Sequence, residues 1–113
     1  MVQVYYTDAH GELRVDILGH GNLKNIEDLD VMCAAATTLT NTLAVNVLSM
    51  KEAGFLEEEP VVYIGDDGEG KARLMCKPKA EYYALCKAKF TAVVTGYQVL
   101  ASIYPLYVGF IHE

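Results

Sequence analysis

The chain has 113 residues, of which 52% are hydrophobic, and it carries a formal net charge of -6. This length and hydrophobic share fit one globular domain over residues 1–113, large enough to bury a core without disulfides or structural metals. Binding to the phosphates of nucleic acids needs concentrated positive charge. The acidic balance therefore argues against a nucleic-acid partner and favours a basic protein partner.

The three cysteines, Cys33, Cys76 and Cys86, are an odd number without a close pair. Disulfide frameworks and structural zinc sites use paired, closely spaced cysteines or histidines, so we expect neither. The first residues follow a strand-like pattern and show no signal peptide. We therefore expect a cytoplasmic protein with reduced thiols and no cofactor.

Two β-rich runs begin the chain, over residues 2–6 and 12–20, with the turn-forming segment TDAHG between them. This pattern predicts a β-hairpin whose second strand has one apolar and one more polar face. His20, at the end of that strand, extends the more polar face. The polar segment over residues 21–29 is typical of a loop.

The next pattern predicts a helix that begins after an N-cap at Asp30 and stops at Gly54. Most of its circumference is apolar, which indicates cover on two sides, by the sheet and by a second helix or a second subunit. Two apolar stripes run along it: Val31, Ala35, Thr38, Thr42 and Val45, and Met32, Ala36, Leu39, Leu43, Val47 and Met50.

A second hairpin over residues 60–78, a second helix over about 80–103 and a closing strand over 106–112 complete the prediction. Residues 90–111 carry no charge and are long enough to cross a bilayer as a helix. Pro105 interrupts that run, however, so a helix followed by a buried strand explains it better and we expect no membrane span. The order ββαββαβ predicts an α+β sandwich, with two helices packed on one face of a mixed β-sheet.

The candidate catalytic residues lie near the predicted start of the first helix. With Asp30 as the N-cap, Cys33 would lie in the first turn, where free backbone N–H groups and the helix dipole favour a thiolate. His20 could meet it at the same edge of the sheet and act as its general base. Thr37, one turn beyond Cys33, could supply a hydroxyl to the same site.

Plainer interpretations compete with this pair. A cysteine in an alanine-rich helix is more often a small core residue, and a histidine beside glycines is more often a turn residue. Cys33 and His20 could also bind a metal with a nearby aspartate, but no short-spaced pair anchors such a site, so we expect no metal. A redox sensor at Cys33 would need Cys76 or Cys86 within about 7 Å between Cα atoms.

The two motifs together resemble the ribosomal-processing cysteine protease (Prp) family over nearly the whole chain. Members carry a glycine-histidine-small motif after the second strand. About a dozen residues later come an aspartate, two apolar residues, the catalytic cysteine, an alanine, two small residues and a serine. In this chain the corresponding residues are Gly19, His20 and Gly21, then Asp30, Val31, Met32, Cys33 and Ala34, with Thr37 in place of the serine.

The resemblance implies a homodimeric cysteine endopeptidase of α/β sandwich fold, which removes the N-terminal extension of a large-subunit ribosomal protein precursor. Some relatives accompany phage and process virion proteins. By analogy, Cys33 would be the nucleophile and His20 the general base. The loop over residues 19–29 would close over the substrate, and Asp30 would orient His20 or only cap the helix. A non-enzymatic dimeric interaction module, with the apolar first helix as its dimer face, is the main alternative.

Overall fold

The structure, a computed structural model, describes residues 1–19, 26–65 and 70–113, without the side chains of residues 26–30. Among these residues five strands form one sheet, and two long helices pack on one of its faces. The predicted α+β sandwich and its ββαββαβ order are confirmed. The elements are β1 Val2–Thr7, β2 Leu13–Leu18, α1 Ile26–Glu52, β3 Val61–Ile64, β4 Lys71–Cys76, α2 Tyr83–Ile103 and β5 Val108–His112.

The sheet has the strand order β3-β4-β2-β1-β5, and alternate side chains face the helices. Val4 of β1, Val15 of β2 and Leu74 of β4 are at most 1% exposed, because residues two apart in a strand point to the same face. After α2 the chain returns as β5, which runs parallel to β1, whereas the other pairs are antiparallel. The sheet is therefore mixed, as predicted.

The predicted start of the first helix is wrong. α1 begins at Ile26, four residues before the predicted N-cap Asp30, so Cys33 is its eighth residue and lies in the third turn. Backbone N–H groups at that depth are bonded within the helix, so they do not stabilise a thiolate there. The helix-dipole argument for Cys33 therefore fails. Residues 26–29, which were predicted to belong to the loop over 19–29, are part of α1.

The predicted end of the second strand is also wrong by two residues. β2 ends at Leu18, and Gly19 turns away with a φ of 101°, so the strand does not extend to His20. Gly19 donates its backbone N–H to the carbonyl oxygen of Gly70 at 2.9 Å. This bond joins the end of β2 to Gly70, the residue directly before β4, and the candidate site lies beside it.

The two apolar stripes of α1 have different surroundings. Met32, Leu43 and Val47 are fully buried, whereas Val31 and Val45 are 59% and 62% exposed. The sheet and α2 cover the stripe that contains Met32. In the other stripe Ala35 packs against the core, whereas Val31 and Val45 stay exposed among the described residues.

Among the described residues, Val31–Glu52 is the segment whose length and hydropathy would allow a membrane span. Core helices of soluble proteins meet the same criteria. Residues 90–111, the run considered from the sequence, form the end of α2, a turn and β5, as predicted.

Candidate active site

A cleft of about 310 Å³ opens between residues 32–41 of α1 and one end of the sheet. β2 ends at this cleft and β4 begins there. Inward-facing apolar side chains from the strands form the floor, and residues 32–41 of α1 form a wall. The floor residues are Val2, Ile17 and Ala72.

Six residues of α1 line the cleft, and three of them follow one another at a spacing of four: Cys33, Thr37 and Asn41. They are separated by four and eight positions, so they lie one above the other on one side of the helix. Cys33 is half-buried, while Thr37 and Asn41 are exposed. Sequence reasoning identified Cys33 and Thr37 but missed Asn41, although the same period of four residues predicts it.

The other two cysteines belong to the core. Cys76 and Cys86 are at most 1% exposed. Burial raises the pKa of the Cys76 thiol to about 12, and the neighbouring Cys86 contributes to that rise. Burial also raises the pKa of the Cys86 thiol. Cys33 is therefore the cysteine that is accessible to solvent in a cleft. This location in the cleft, and not a position at the helix N-terminus, distinguishes it from the other two cysteines.

The redox-sensor alternative loses support from the same arrangement. Ala72 lines the cleft with Cys33, whereas Cys76 lies four residues farther along β4. At about 3.3 Å per strand residue, this places Cys76 about 13 Å beyond Ala72. Cys86 adjoins Cys76. Neither buried thiol therefore lies at the cleft as a resolving partner, which a disulfide with Cys33 would need.

A buried hydrogen-bond chain fixes α1 against α2 behind the cleft. The Tyr97 hydroxyl donates to Thr40 Oγ1 at 2.8 Å, and Thr40 Oγ1 donates to the Ala36 carbonyl oxygen at 2.8 Å. Tyr97 is fully buried, and this burial raises its pKa to about 12, so its hydroxyl stays protonated as a donor. The sequence does not reveal this pairing of Tyr97 with Thr40, because 57 positions separate the two residues.

Gly19 is required at the rim of the cleft for two steric reasons. Its φ of 101° is a conformation that side chains with a Cβ rarely adopt. A Cβ there would also overlap the backbone carbonyl oxygen of Met1. Gly19 therefore brings the chain close beside β1 immediately before His20.

We expect Gly19→Ala to lower the free energy of unfolding by about 1–3 kcal/mol, because the left-handed φ and the Met1 overlap act together. Urea denaturation measures this loss. Gly11→Ala is the matched control, since Gly11 has a φ of 75° but nothing within 4 Å of its Cβ position. Equal losses in the two variants would show that Met1 imposes no constraint at Gly19.

Several predicted site residues fall outside the described part of the chain. These are His20 and Gly21, and also the side chain of Asp30. Gly19, the residue that precedes His20 in the sequence, lines the cleft. The described side chains contain no cluster of three histidine, cysteine or acidic residues that could hold a metal. The roles of His20, Gly21 and Asp30 stay predictions.

Solved structures share this arrangement of strands and helices. The essential ribosomal processing protease Prp from S. aureus, in complex with a substrate peptide, matches with a TM-score of 0.69 and 16% identity over 100% of both chains. The chain has the Prp fold. Prp from S. aureus with a covalently linked product peptide matches with a TM-score of 0.67 and 18% identity, again over 100% of both chains.

A third solved structure, SMU.848 from Streptococcus mutans, matches with a TM-score of 0.65 and 19% identity over 100% of this chain and 99% of the other. No protein-family model and no curated protein matches the sequence significantly. The resemblance seen in the sequence is thus confirmed at the level of the Prp fold.

Proposed function

We propose that this chain is a cysteine endopeptidase of the Prp family, which removes the N-terminal extension of a large-subunit ribosomal protein precursor. The observation that carries the proposal is the position of Cys33, which lines the cleft while the other two cysteines are buried. The fold is shared with S. aureus Prp structures that hold a substrate peptide and a covalently linked product peptide. A cytoplasmic location would follow from a ribosomal substrate.

In the proposed mechanism, His20 accepts the thiol proton as Cys33 Sγ attacks the scissile carbonyl carbon. The tetrahedral intermediate collapses when the C–N bond breaks and His20 donates the proton to the leaving amine. Water, deprotonated by His20, then attacks the resulting thioester and releases the carboxylate product with regeneration of the thiol. Thr37 lies one helical turn from Cys33 and lines the same cleft, which supports a proposed role for its hydroxyl as a hydrogen-bond partner of the substrate.

The observed start of α1 removes one of the two roles that the sequence left open for Asp30. Asp30 is the fifth residue of α1, so it does not cap the helix. It precedes Cys33 by three positions, a spacing that places both residues on one side of a helix. We therefore assign Asp30 to orienting His20, the other role that the sequence left open.

Charge supports a basic protein as the substrate. The chain has a formal net charge of -6, with 15 acidic against 9 basic residues. Ribosomal proteins that bind RNA need positive charge to neutralise phosphates, so an acidic protease would attract such a substrate. Raising the ionic strength should therefore slow the encounter with a basic precursor more than with a neutral peptide.

The proposed homodimer would form through the outer face of the two helices. A groove between α1 and α2, lined by Ala35, Leu39 and Gly96, lies beside exposed apolar side chains of the same face. Two copies related by a twofold axis could each supply both the groove and the side chains that fill it. Sedimentation equilibrium should show a dimer that Val99→Lys dissociates and that Ile111→Lys, at an exposed position of β5, leaves intact. A monomeric wild type would contradict the dimer.

Cleavage of a precursor peptide tests the proposed activity. The peptide copies the extension and the first mature residues of the large-subunit ribosomal protein encoded in the same genome. We expect mass spectrometry to show one cut at their junction. Prior alkylation with iodoacetamide should prevent it, and a peptide with a scrambled extension should stay intact. Absence of cleavage, or cleavage that survives alkylation, would overturn the proposed function.

A further inference from the structure

We infer that the Asn41 side chain binds the substrate backbone three or four residues from the scissile bond, so that the enzyme recognises peptide length as well as sequence. The inference rests on the proposed cysteine endopeptidase activity and deepens it. It is carried by the position of Asn41 in the same cleft and on the same wall as Cys33. Asn41 would be a positioning residue, since it does not reach the reacting atoms.

The distance along α1 sets which part of the substrate Asn41 meets. Asn41 follows Cys33 by eight residues, which at about 1.5 Å per residue places it about 12 Å farther along the helix. An extended peptide advances about 3.3 Å per residue. A substrate whose scissile carbonyl lies at Cys33 and which follows the wall of the cleft would therefore bring its third or fourth residue from that bond to Asn41.

The chemistry of the cleft explains why a side-chain amide is useful there. The floor is apolar at Ile17 and Ala72, so peptide N–H and C=O groups that lose water over it need other partners. An asparagine amide both donates and accepts, and one side chain can pair with a backbone N–H and a backbone C=O. Asn41 is exposed and has no hydrogen-bond partner among the described residues, so its amide is available to a substrate.

If Asn41 binds the substrate backbone at this distance, substrate binding should depend on peptide length. Changing the residues beside the scissile bond would not produce such a dependence. A peptide that ends within two residues of the bond on the side toward Asn41 cannot reach the amide. A longer peptide can reach the amide, whatever its side chains are. Asn41 should therefore contribute to substrate binding without altering the chemical step at Cys33.

The test compares wild type, Asn41→Ala and Asn41→Leu on precursor peptides truncated stepwise from each end. For the longest peptide we expect both variants to raise KM about fivefold with kcat unchanged, the effect of one lost hydrogen bond. For peptides cut to two residues on one side of the bond, wild type and variants should have equal KM. Asn46→Ala, on α1 but outside the cleft lining, is the matched control and should behave as wild type.

The outcomes separate the inference from the proposed function. Cleavage that needs Cys33 but shows the same KM for Asn41→Ala and wild type on the longest peptide would overturn the role of Asn41 alone. A fall in kcat for every peptide length would also overturn it, because it would place Asn41 in the chemical step. Cleavage that persists without Cys33 would remove the proposed function itself.

Discussion

Replacing Cys33 with alanine should lower kcat/KM for the precursor peptide by about 10³-fold or more, because the attacking sulfur is lost. Cys33→Ser should be similarly impaired, since a hydroxyl is a much weaker nucleophile than a thiol in a site built for sulfur. Initial rates with the precursor peptide, followed by mass spectrometry, measure both losses. His20→Ala should cause a comparable loss, because the general base is removed.

Three controls test whether this loss of activity comes from the lost chemistry and not from unfolding. Circular dichroism should show that Cys33→Ala is folded, since Cys33 lies half-buried at the cleft and not in the centre of the core. In native Cys33→Ala, the buried Cys76 and Cys86 should resist a small thiol reagent, and both should react after unfolding. His112→Ala is the matched histidine control, because His112 is an exposed residue of β5 that pairs with Asp8. Cleavage at the wild-type rate by Cys33→Ala would contradict the assignment of the nucleophile.

Phe90→Ala should lower the free energy of unfolding by about 3–5 kcal/mol, a large share of the stability of a small domain. Phe90 is fully buried in α2, and its ring stacks on Tyr6 of β1 with 6.0 Å between centroids. Removing the ring leaves a cavity where α2 meets the sheet. Urea denaturation measures the loss as a lower midpoint of unfolding.

The exposed Leu85 provides the comparison on the same helix. It is 45% exposed, so Leu85→Ala should change the free energy of unfolding by less than about 1 kcal/mol. Phe90 packs against Tyr6, whereas the cleft begins at Val2, four residues away along β1. The Phe90→Ala protein that remains folded should therefore still cleave the precursor peptide. Equal destabilisation in the two variants would contradict this account of the core.

Errors in the sequence predictions concentrate next to the candidate site. The alternation of Leu13, Val15 and Ile17 predicted the inner face of β2 correctly, because a strand has a fixed period of two. Asp30, by contrast, was read as an N-cap, yet α1 begins at Ile26. An aspartate is compatible with a cap and with the second turn of a helix, so the residue type alone did not decide between them.

The sequence by itself determined the element order, the α+β class and the buried apolar stripe of the first helix. These follow from local periods and residue types. Only the tertiary structure decided that Cys33, Thr37 and Asn41 line one cleft, that Tyr97 donates to Thr40, and that Gly19 lies against the Met1 carbonyl. Such contacts join residues far apart in the chain, and no local pattern records which distant partners the packing of helices on a sheet will bring together.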